Sequence, residues 1–327
     1  MPSKCDPELR LVAEIGGTQA RFALRRKSRA VGAVRTVVCR DSPKIEDALT
    51  AFLAAQPARP AAAAFAVASP DDGDNIATLN GPWRFSIRAL RRRFGFARLD
   101  VVNDFAALAL AIPHLCARDS KRVGGGRPVN GAPIALIGPG TGLGVAGLVP
   151  AHKGPVPSGP VVLASEGGHA TLGPANDRES DILAFLRARF GHVSAERAVS
   201  GPGLVQLFEA ICELEGEKPP RATPEGIVRR ALDGSSAFCT ETLQIFCALL
   251  GTVAADVALT FKARGGVYIG GGIVPKLGDA FAASPFRHRF ESKGRYSKFL
   301  AAIPTSVIHR EGAALIGLSI LADRPLP

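Results

Sequence analysis

The segment Leu9–Thr18, with the sequence LRLVAEIGGT, joins a strand pattern to a glycine turn. Every second residue from Leu9 to Ile15 is apolar, a period that is typical of a strand with one buried face. Further strand patterns follow at 21–25 and 33–39, and the turns between them are short. The beginning of the chain therefore predicts an antiparallel meander of three strands.

A second glycine turn, Gly138–Gly144 (GPGTGLG), connects two apolar strand patterns at 133–138 and 143–149. Glycines let backbone N–H groups approach an anion closely, and a threonine hydroxyl adds a donor. Two such turns, one in each half of the chain, predict a pair of phosphate-binding turns. Neither is a Walker A loop, because the chain contains no Gly-Lys dipeptide, and Leu143 stands where the Rossmann fingerprint needs its third glycine. Each turn alone is equally typical of an ordinary tight hairpin.

The predicted elements recur in a similar order in the two halves, which indicates an α/β chain of two parts related by topology. After the meander, the first part is predicted to contain a helix at 45–55, strands at 62–68 and 99–103, and a helix from Asp104. The second part is predicted to contain strands at 133–138, 143–149, 160–164 and 266–269, and helices at about 179–190, 203–214, 223–232 and 236–264. The glycine- and arginine-rich segment Arg118–Gly131 between the parts is interpreted as a loop.

The composition is that of a globular protein. Of the 327 residues, 46% are hydrophobic and 21% are charged, which excludes a disordered chain. No apolar run reaches the roughly 18 residues that would span a bilayer, and the N-terminal segment lacks the apolar core of a signal peptide. The six cysteines form no CxxC pair, so neither a zinc site nor disulfides are expected, and Cys239 and Cys247 are predicted to be core residues. We expect a cytoplasmic protein.

The net charge is +11, from 40 basic and 29 acidic residues. Basic residues cluster at 25–29 and 88–93, and such patches are found in proteins that bind nucleic acid. Aromatic residues make up only 6% of the chain, too few for base-stacking platforms. The pattern therefore favours a solvated basic surface over a nucleic-acid interface.

Four further motifs admit both a structural and a functional interpretation. The pair Asn103-Asp104 suits a helix N-cap, or a carboxylate that accepts a proton from a hydroxyl. The segment Glu166–His169 suits a polar loop or a set of groups that bind a polyhydroxyl ligand, and Glu196 suits a helix start or a ligand contact. The glycines at 270–272 suit a turn from a strand into a helix, or a close approach to a nucleotide.

Together these motifs resemble those of bacterial glucokinases, a family of the actin-like sugar kinase superfamily. The stretches GHVSAER, SGPGL and GGGIVPK are the most specific. The segments that carry the resemblance are Glu14–Arg21, Trp83–Ile87, Asn103–Ala106, Gly138–Gly144, Glu166–His169, Gly191–Leu204 and Gly265–Lys276. The resemblance implies an α/β, two-domain actin-like (ribonuclease H-like) fold with a cleft between the domains. It divides the chain into a small domain at 1–116, completed by a C-terminal helix at about 305–327, and a large domain at 117–304.

The resemblance also implies the activity: phosphorylation of glucose to glucose 6-phosphate with ATP and Mg²⁺, by a homodimer that binds neither nucleic acid nor membranes. In this family the residue at Asp104 is the catalytic base. The residues at Asn103, Glu166, His169 and Glu196 bind the sugar. The residues at Glu14, Gly16, Gly17, Thr18, Gly140, Thr141, Gly142, Gly271 and Gly272 bind the nucleotide. Glu14 is expected to hold Mg²⁺ through water, since Mg²⁺ keeps several waters.

The sequence departs from the family pattern at three places. Glu14 stands where the family has Asp, and Gln19 stands where it usually has Asn. The loop before Glu166 reads Leu163-Ala164-Ser165, where the family usually has a Pro-Gly pair. The first departure bears on how the metal is held, and the third bears on the shape of the sugar loop. The five residues expected to face the sugar and its reacting hydroxyl all remain.

Three other functions stay open at this point. One is a kinase for another hexose, such as mannose, fructose or an amino sugar. A second is a sugar-sensing regulatory protein with weak catalysis, which the glutamate at position 14 favours. A third is a sugar-responsive DNA-binding repressor, which needs a helix-turn-helix before the first glycine turn; only about a dozen residues precede that turn, too few for the module.

Overall fold

The structure is a computed structural model that describes residues 5–69, 73–79, 81–151 and 159–324. The chain forms two compact units. Unit 1 comprises residues 1–115 and 310–327, and unit 2 comprises residues 116–309. The chain therefore leaves unit 1 once and returns to it at the C-terminus.

Unit 1 is built on a five-stranded mixed sheet in the order β3-β2-β1-β4-β7. The first three strands form the predicted antiparallel meander, and β4 and β7 add to it in parallel. The strands are β1 (Cys5–Ile15), β2 (Gln19–Arg26), β3 (Arg35–Val38), β4 (Arg59–Val67) and β7 (Arg98–Asn103), with a separate hairpin of β5 (Asn75–Ala77) and β6 (Arg84–Ser86). The helices are α1 (Ile45–Ala54), α2 (Ile87–Phe94), α3 (Asp104–Ala111) and α12 (Ala313–Ala322).

The alternation in β1 sets the core of unit 1. Leu11, Ala13 and Ile15 are fully or almost fully buried in one hydrophobic cluster with Phe22 and Phe65. β4 has the sequence RPAAAAFAV and is buried along all but its first residue, as expected for a strand covered on both faces. Its small side chains allow helices to pack closely against it.

The C-terminal helix α12 packs on α3, β1 and β4 of unit 1. A Cβ atom on Gly317 would lie 1.8 Å from the carbonyl oxygen of Ala107, so only glycine permits this approach of the two helices. Arg10 and Arg25, both buried, donate to the last carbonyls of α12, at Ala322 (2.8 Å) and Ser319 (2.7 Å). Buried guanidinium groups thus replace the water that exposed helix carbonyls would bind.

Unit 2 contains a six-stranded sheet in the order β11-β10-β9-β12-β13-β8. The strands are β8 (Ser120–Gly124), β9 (Ile134–Pro139), β10 (Leu143–Val149), β11 (Val161–Ser165), β12 (Gly266–Ile269) and β13 (Thr305–Ile308). The helices are α4 (Asp177–Phe190), α5 (Ala195–Ala198), α6 (Gly201–Leu214), α7 (Pro224–Leu232), α8 (Ala237–Thr260), α9 (Asp279–Ala282), α10 (Phe286–Glu291) and α11 (Ser297–Ala301).

Two sequence predictions were wrong at the strands β8 and β13. The segment predicted as a loop at 118–131 contains the edge strand β8, which pairs with β13. The helix predicted from about 305 begins only at Ala313, because 305–308 is the strand β13 and extends the sheet of unit 2; residues 325–327 of that prediction lie outside the described residues. The glycines at 270–272 follow β12 and lead into a short 3-10 helix at Val274–Leu277, which confirms the predicted turn from a strand into a helix.

The two sheets share one topology, as the order of predicted elements indicated. In each sheet three antiparallel strands are followed by two parallel additions, and β1 and β9 occupy the same place in this order. Each predicted glycine turn closes the equivalent hairpin, β1–β2 in unit 1 and β9–β10 in unit 2. The mixed α/β, two-domain class is therefore confirmed.

Helix α8 forms the centre of the hydrophobic core of unit 2. It is also the one helix among the described residues that is long and apolar enough to cross a membrane, so the prediction of no such stretch was wrong. The apolar character of α8 follows from its burial, since 78% of its most apolar 18-residue segment lies inside the protein. Cys239 and Cys247 lie on this helix and are buried, as predicted, and burial raises the pKa of the Cys247 thiol to about 12.

Candidate active site

The first glycine turn belongs to unit 1 and is held by backbone hydrogen bonds. β1 ends at Ile15 and β2 begins at Gln19, and the N–H of Gly16 donates to the carbonyl of Gln19 (3.0 Å). The carbonyl of Thr18 accepts from the N–H of Cys39 (2.9 Å). The turn is thus fixed on both sides, while Thr18 itself is exposed and available to a ligand.

Glu14 lies opposite Arg21 in the β1–β2 ladder, and the two side chains form an ion pair (Oε2 to Nη1, 3.2 Å). Both are partly exposed, at 29% and 37%, so the pair adds little to stability, about 0–1 kcal/mol. No group of three or more His, Cys, Asp or Glu residues that could hold a metal occurs among the described residues. A single half-exposed carboxylate does fit Mg²⁺, which is usually bound by one or two carboxylates together with substrate phosphates and water.

The Asn103-Asp104 pair stands where β7 ends and α3 begins. Asn103 is the N-cap of α3, and its Oδ1 accepts from the N–H groups of Phe105 (2.8 Å) and Ala106 (3.4 Å). The capping interpretation is therefore confirmed for Asn103, and the cap uses its side-chain oxygen but not its NH₂ group. Asp104 is half-buried in the first turn of α3, where its Oδ1 accepts from Phe105 (2.9 Å).

Two glycine turns meet at one edge of the sheet of unit 2, because β9 and β12 are parallel neighbours and each is followed by a turn. The N–H of Gly270 donates to the carbonyl of Ile137 (2.8 Å). Gly271 has a φ of +82°, and a Cβ atom there would lie 2.3 Å from the carbonyl oxygen of Pro139. Glycine is therefore required at position 271 for both conformation and space.

A cavity of about 730 Å³ opens beside these turns. The N–H of Gly201, at the start of α6, donates to the carbonyl of Gly140 (2.8 Å) and brings that helix to the turn. The cavity is lined by Gly140, Thr141, Gly201, Pro202, Leu204, Pro224, Glu225, Val228, Arg229, Leu232, Asp233, Gly272, Ile273 and Lys276. Its walls are mainly apolar, and its size is that of pockets that bind small organic ligands.

Most of the residues that line the cavity were not among the predicted site residues. Pro202 and Leu204 lie in the SGPGL stretch, and Ile273 and Lys276 lie in GGGIVPK, so the specific motifs already marked them. The contribution of α7 had no such signal. Its pattern is simply that of an amphipathic helix, and only the packing of α6 and α7 shows that they enclose a cavity.

The loop Glu166–His169 follows β11 and packs against the start of β10. A Cβ atom on Gly168 would lie 2.1 Å from the carbonyl oxygen of Leu143, so the loop touches the end of the second glycine turn. The side chains of Glu166 and His169 are 77% and 60% exposed and lie 3.9 Å apart (Oε2 to Nε2). Both are therefore accessible to a ligand.

Glu196 lies on the short helix α5 and is half-buried. Its Oε2 accepts from the backbone N–H of Leu143 (2.9 Å). A Cβ atom on Gly142 would lie 2.5 Å from the same oxygen. The residue predicted to bind sugar thus lies against the turn predicted to bind phosphate.

Backbone hydrogen bonds join the Glu166–His169 loop to the segment that carries Glu196. The N–H of Ala195 donates to Ala170 (2.9 Å), and the N–H of Leu172 donates to Val193 (3.0 Å). Unit 2 therefore brings together Glu166, His169, Glu196, Gly140, Thr141, Gly142, Gly271 and Gly272. Unit 1 holds the remaining predicted residues, Glu14, Gly16, Gly17, Thr18, Asn103 and Asp104.

Comparison with known proteins gives one consistent result. The glucokinase family model matches residues 11–325. The glucokinase of Aromatoleum aromaticum is 49% identical, covering 100% of this chain and 98% of that protein, and the glucokinase of Chromobacterium violaceum is 49% identical, covering 97% and 90%.

Solved structures agree with the sequence matches. A glucokinase from an Antarctic psychrotroph superposes with a TM-score of 0.88 at 33% identity, covering 98% of this chain and 100% of that one. A ROK family glucokinase from Streptomyces griseus, in complex with glucose and AMPPNP, superposes with a TM-score of 0.61, covering 97% and 100%. At 19% identity the second match shows the fold alone.

Proposed function

We propose roles for these residues from one premise: the chain belongs to the glucokinase family, and it is an enzyme that phosphorylates glucose with ATP. One observation in unit 2 carries the assignment. The second glycine turn borders an apolar cavity of about 730 Å³ and also contacts Glu196 and the Glu166–His169 loop. A single turn thus adjoins a space suited to a nucleotide and a set of polar groups suited to a sugar.

The nucleotide is proposed to lie along the glycine turns. The apolar cavity walls, such as Leu204 and Ile273, suit the adenosine, and the open space above Gly272, where a Cβ atom would meet nothing within 4 Å, leaves room for it. Backbone N–H groups and hydroxyls bind the phosphates because fixed donors in a turn attract anions. The residues proposed for this role are Gly16, Gly17, Thr18, Gly140, Thr141, Gly142, Gly271 and Gly272.

The sugar is proposed to bind through Asn103, Glu166, His169 and Glu196. Carboxylates accept hydrogen bonds from sugar hydroxyls, and the NH₂ group of Asn103 can donate while its oxygen caps α3. The exposure of Glu166 and His169 supports this role, since neither side chain is buried by the protein itself.

Asp104 is proposed as the general base. The 6-oxygen of glucose attacks the γ-phosphorus of ATP, the bond from that phosphorus to the oxygen of ADP breaks, and Asp104 takes the proton of the hydroxyl. Phosphoryl transfer depends mainly on positioning and charge stabilisation, and a positioned base adds ~10²–10⁴-fold in rate. The capped start of α3 supports this assignment because it fixes the Asp104 backbone.

Glu14 is proposed to hold Mg²⁺ through water. Bound Mg²⁺ would neutralise part of the negative charge of the ATP phosphates during the transfer. Glu14 supplies the carboxylate, which also forms an ion pair with Arg21. We further propose from the family resemblance that the enzyme is cytoplasmic and forms a homodimer. Sedimentation of the purified protein tests the oligomeric state.

A coupled assay of ATP consumption tests the function, with glucose, mannose, fructose and glucosamine as acceptors. We expect the highest kcat/KM with glucose, and no consumption without a sugar. A higher kcat/KM with another hexose would reassign the substrate. Folded protein that binds glucose but turns over none of the four would instead favour a regulatory role.

A further inference from the structure

We propose that Gly142 and Leu143, at the end of the second glycine turn, are positioning residues for the sugar that act through Glu196. The proposal rests on the proposed role of Glu196 in binding glucose. It gives the turn a second task besides binding phosphate, namely to place a carboxylate of the sugar site.

The contact from Leu143 orients one oxygen of Glu196. The backbone N–H of Leu143 donates to Oε2 at 2.9 Å, and this is the one hydrogen bond that the Glu196 carboxylate makes within the described part of the chain. A bond from a backbone donor to a charged acceptor is stronger than a neutral one. With Oε2 held by the turn, Oε1 is left to accept from a sugar hydroxyl.

The space for this contact exists because position 142 is glycine. An added Cβ atom would lie 2.5 Å from Oε2 and 3.3 Å from the carboxyl carbon of Glu196. Gly142 is not among the glycines with positive φ, so its backbone conformation accepts alanine. The residue in the way is the far end of a flexible side chain, so alanine displaces the carboxylate and leaves the fold intact.

Gly173 supplies a matched control outside the proposed binding machinery. It too lacks a positive φ, and an added Cβ atom there would meet nothing within 4 Å. Alanine at 173 is the same substitution in unit 2 and leaves Glu196 untouched.

Leu143 also contacts the other sugar segment, since its carbonyl oxygen lies against Gly168. A ligand that orders the turn should therefore order both segments of the sugar site. Because linkage is reciprocal, glucose should raise nucleotide affinity by the same factor by which the nucleotide raises glucose affinity.

The first experiment measures glucose affinity by calorimetry without nucleotide, for the wild type, Gly142→Ala and Gly173→Ala. We expect Gly142→Ala to weaken glucose binding roughly tenfold, the loss typical of one hydrogen bond to a charged group, and Gly173→Ala to leave it unchanged. Wild-type affinity in Gly142→Ala, or an equal loss in Gly173→Ala, would overturn the proposal. A wild type that binds no glucose would refute the proposed function instead, so the two failures are distinguishable.

The second experiment is a rescue. In Gly142→Ala/Glu196→Asp the carboxylate is one methylene shorter and retreats from the added Cβ. We expect this double variant to bind glucose more tightly than the two single losses predict, because contacting residues are not additive. If the losses of glucose binding free energy in the two single variants simply add in the double variant, the proposed contact between position 142 and Glu196 is contradicted.

The third experiment needs no variant. Glucose affinity of the wild type is measured with and without AMPPNP, and AMPPNP affinity with and without glucose. We expect AMPPNP to raise the affinity for glucose, and glucose to raise the affinity for AMPPNP by the same factor. Independent binding of the two ligands would overturn the coupling through Leu143.

Discussion

The turn at Gly16–Thr18 in unit 1 and the turn at Gly138–Gly144 in unit 2 close equivalent hairpins of the two sheets, yet their neighbours differ. The first turn is braced by backbone, at Cys39 and at Gly81, whose added Cβ would lie 2.9 Å from the Cα of Gly17. The second turn is bordered by the apolar cavity on one side and by Glu196 on the other. Similar glycine patterns can therefore serve in different surroundings.

The difference extends to the side chains that each unit contributes. Unit 1 offers the carboxylates of Glu14 and Asp104, which are suited to a metal and to a proton. Unit 2 offers the cavity and three of the four polar groups proposed to bind the sugar. We therefore expect substitutions of the two unit 1 carboxylates to lower turnover, and substitutions of the unit 2 polar groups to weaken binding.

Asp104→Asn gives the largest expected effect. Asparagine keeps the shape of the side chain and an oxygen for the N–H of Phe105, but it cannot accept the proton of the sugar hydroxyl. We expect kcat to fall ~10²–10⁴-fold, while the Kd for glucose stays close to that of the wild type. Steady-state kinetics and calorimetry measure the two quantities. Near-normal turnover would reduce Asp104 to a structural residue of α3.

Glu196→Ala and His169→Ala test the opposite half of the comparison. Each leaves a sugar hydroxyl without its partner, a loss of ~1–3 kcal/mol. We expect the Kd for glucose to rise in both variants and the Kd for AMPPNP, measured without glucose, to change far less. The exposed Glu217 provides a control, since it lies on the surface after α6 and its replacement by alanine should change neither value. An equal loss of nucleotide affinity in His169→Ala would place that residue in the nucleotide site.

Much of the fold could be predicted because its strands and helices carry strong periodic patterns. The strand at 143–149 and the strand at 266–269 were predicted with the bounds that the structure has. β8 was missed because SKRVG has no apolar alternation and becomes a strand by pairing with β13 at the sheet edge. β13 was assigned to a helix because its four residues, TSVI, are too few to distinguish the period of a strand from that of a helix.

The candidate site shows the same limit. Motifs marked the polar residues, since glycine turns and the Asn-Asp pair have recognisable local chemistry. The contact between Leu143 and Glu196 joins residues 53 positions apart in the sequence, and no local pattern indicates it. The cavity walls from α7 likewise depend on how helices pack.

Gly271→Ala and Gly272→Ala separate conformation from open space in the nucleotide half. Alanine at 271 must adopt a φ of +82° and meets the carbonyl of Pro139, which costs about 1–3 kcal/mol of strain. We expect a lower Tm and a higher KM for ATP in Gly271→Ala. Gly272→Ala meets nothing within 4 Å, so its Tm should be that of the wild type. An unchanged Tm in both would show that the turn relaxes freely.

Substitutions of Glu14 have the smallest expected effects, and they test whether the carboxylate of Glu14 holds Mg²⁺. Glu14→Ala removes the carboxylate and frees Arg21. Since the ion pair is partly exposed and worth about 0–1 kcal/mol, Tm should hardly change. If Glu14 holds Mg²⁺, the variant needs more Mg²⁺ for half-maximal turnover and has a lower kcat, while glucose affinity is unchanged. Titration of activity with Mg²⁺ at saturating ATP measures this.

Arg21→Met separates the metal role of Glu14 from its ion pair. It breaks the pair as Glu14→Ala does but keeps the carboxylate, so its Mg²⁺ requirement should stay at or below that of the wild type. Glu14→Asp keeps the charge and shortens the reach by one methylene; because Mg²⁺ held through water tolerates this change, we expect activity of the same order. An unaltered Mg²⁺ requirement in Glu14→Ala would show that this carboxylate serves only Arg21. A large gain in kcat for Glu14→Asp would show that glutamate impairs the natural enzyme. That result would favour the alternative function of a sugar-sensing regulatory protein with weak catalysis.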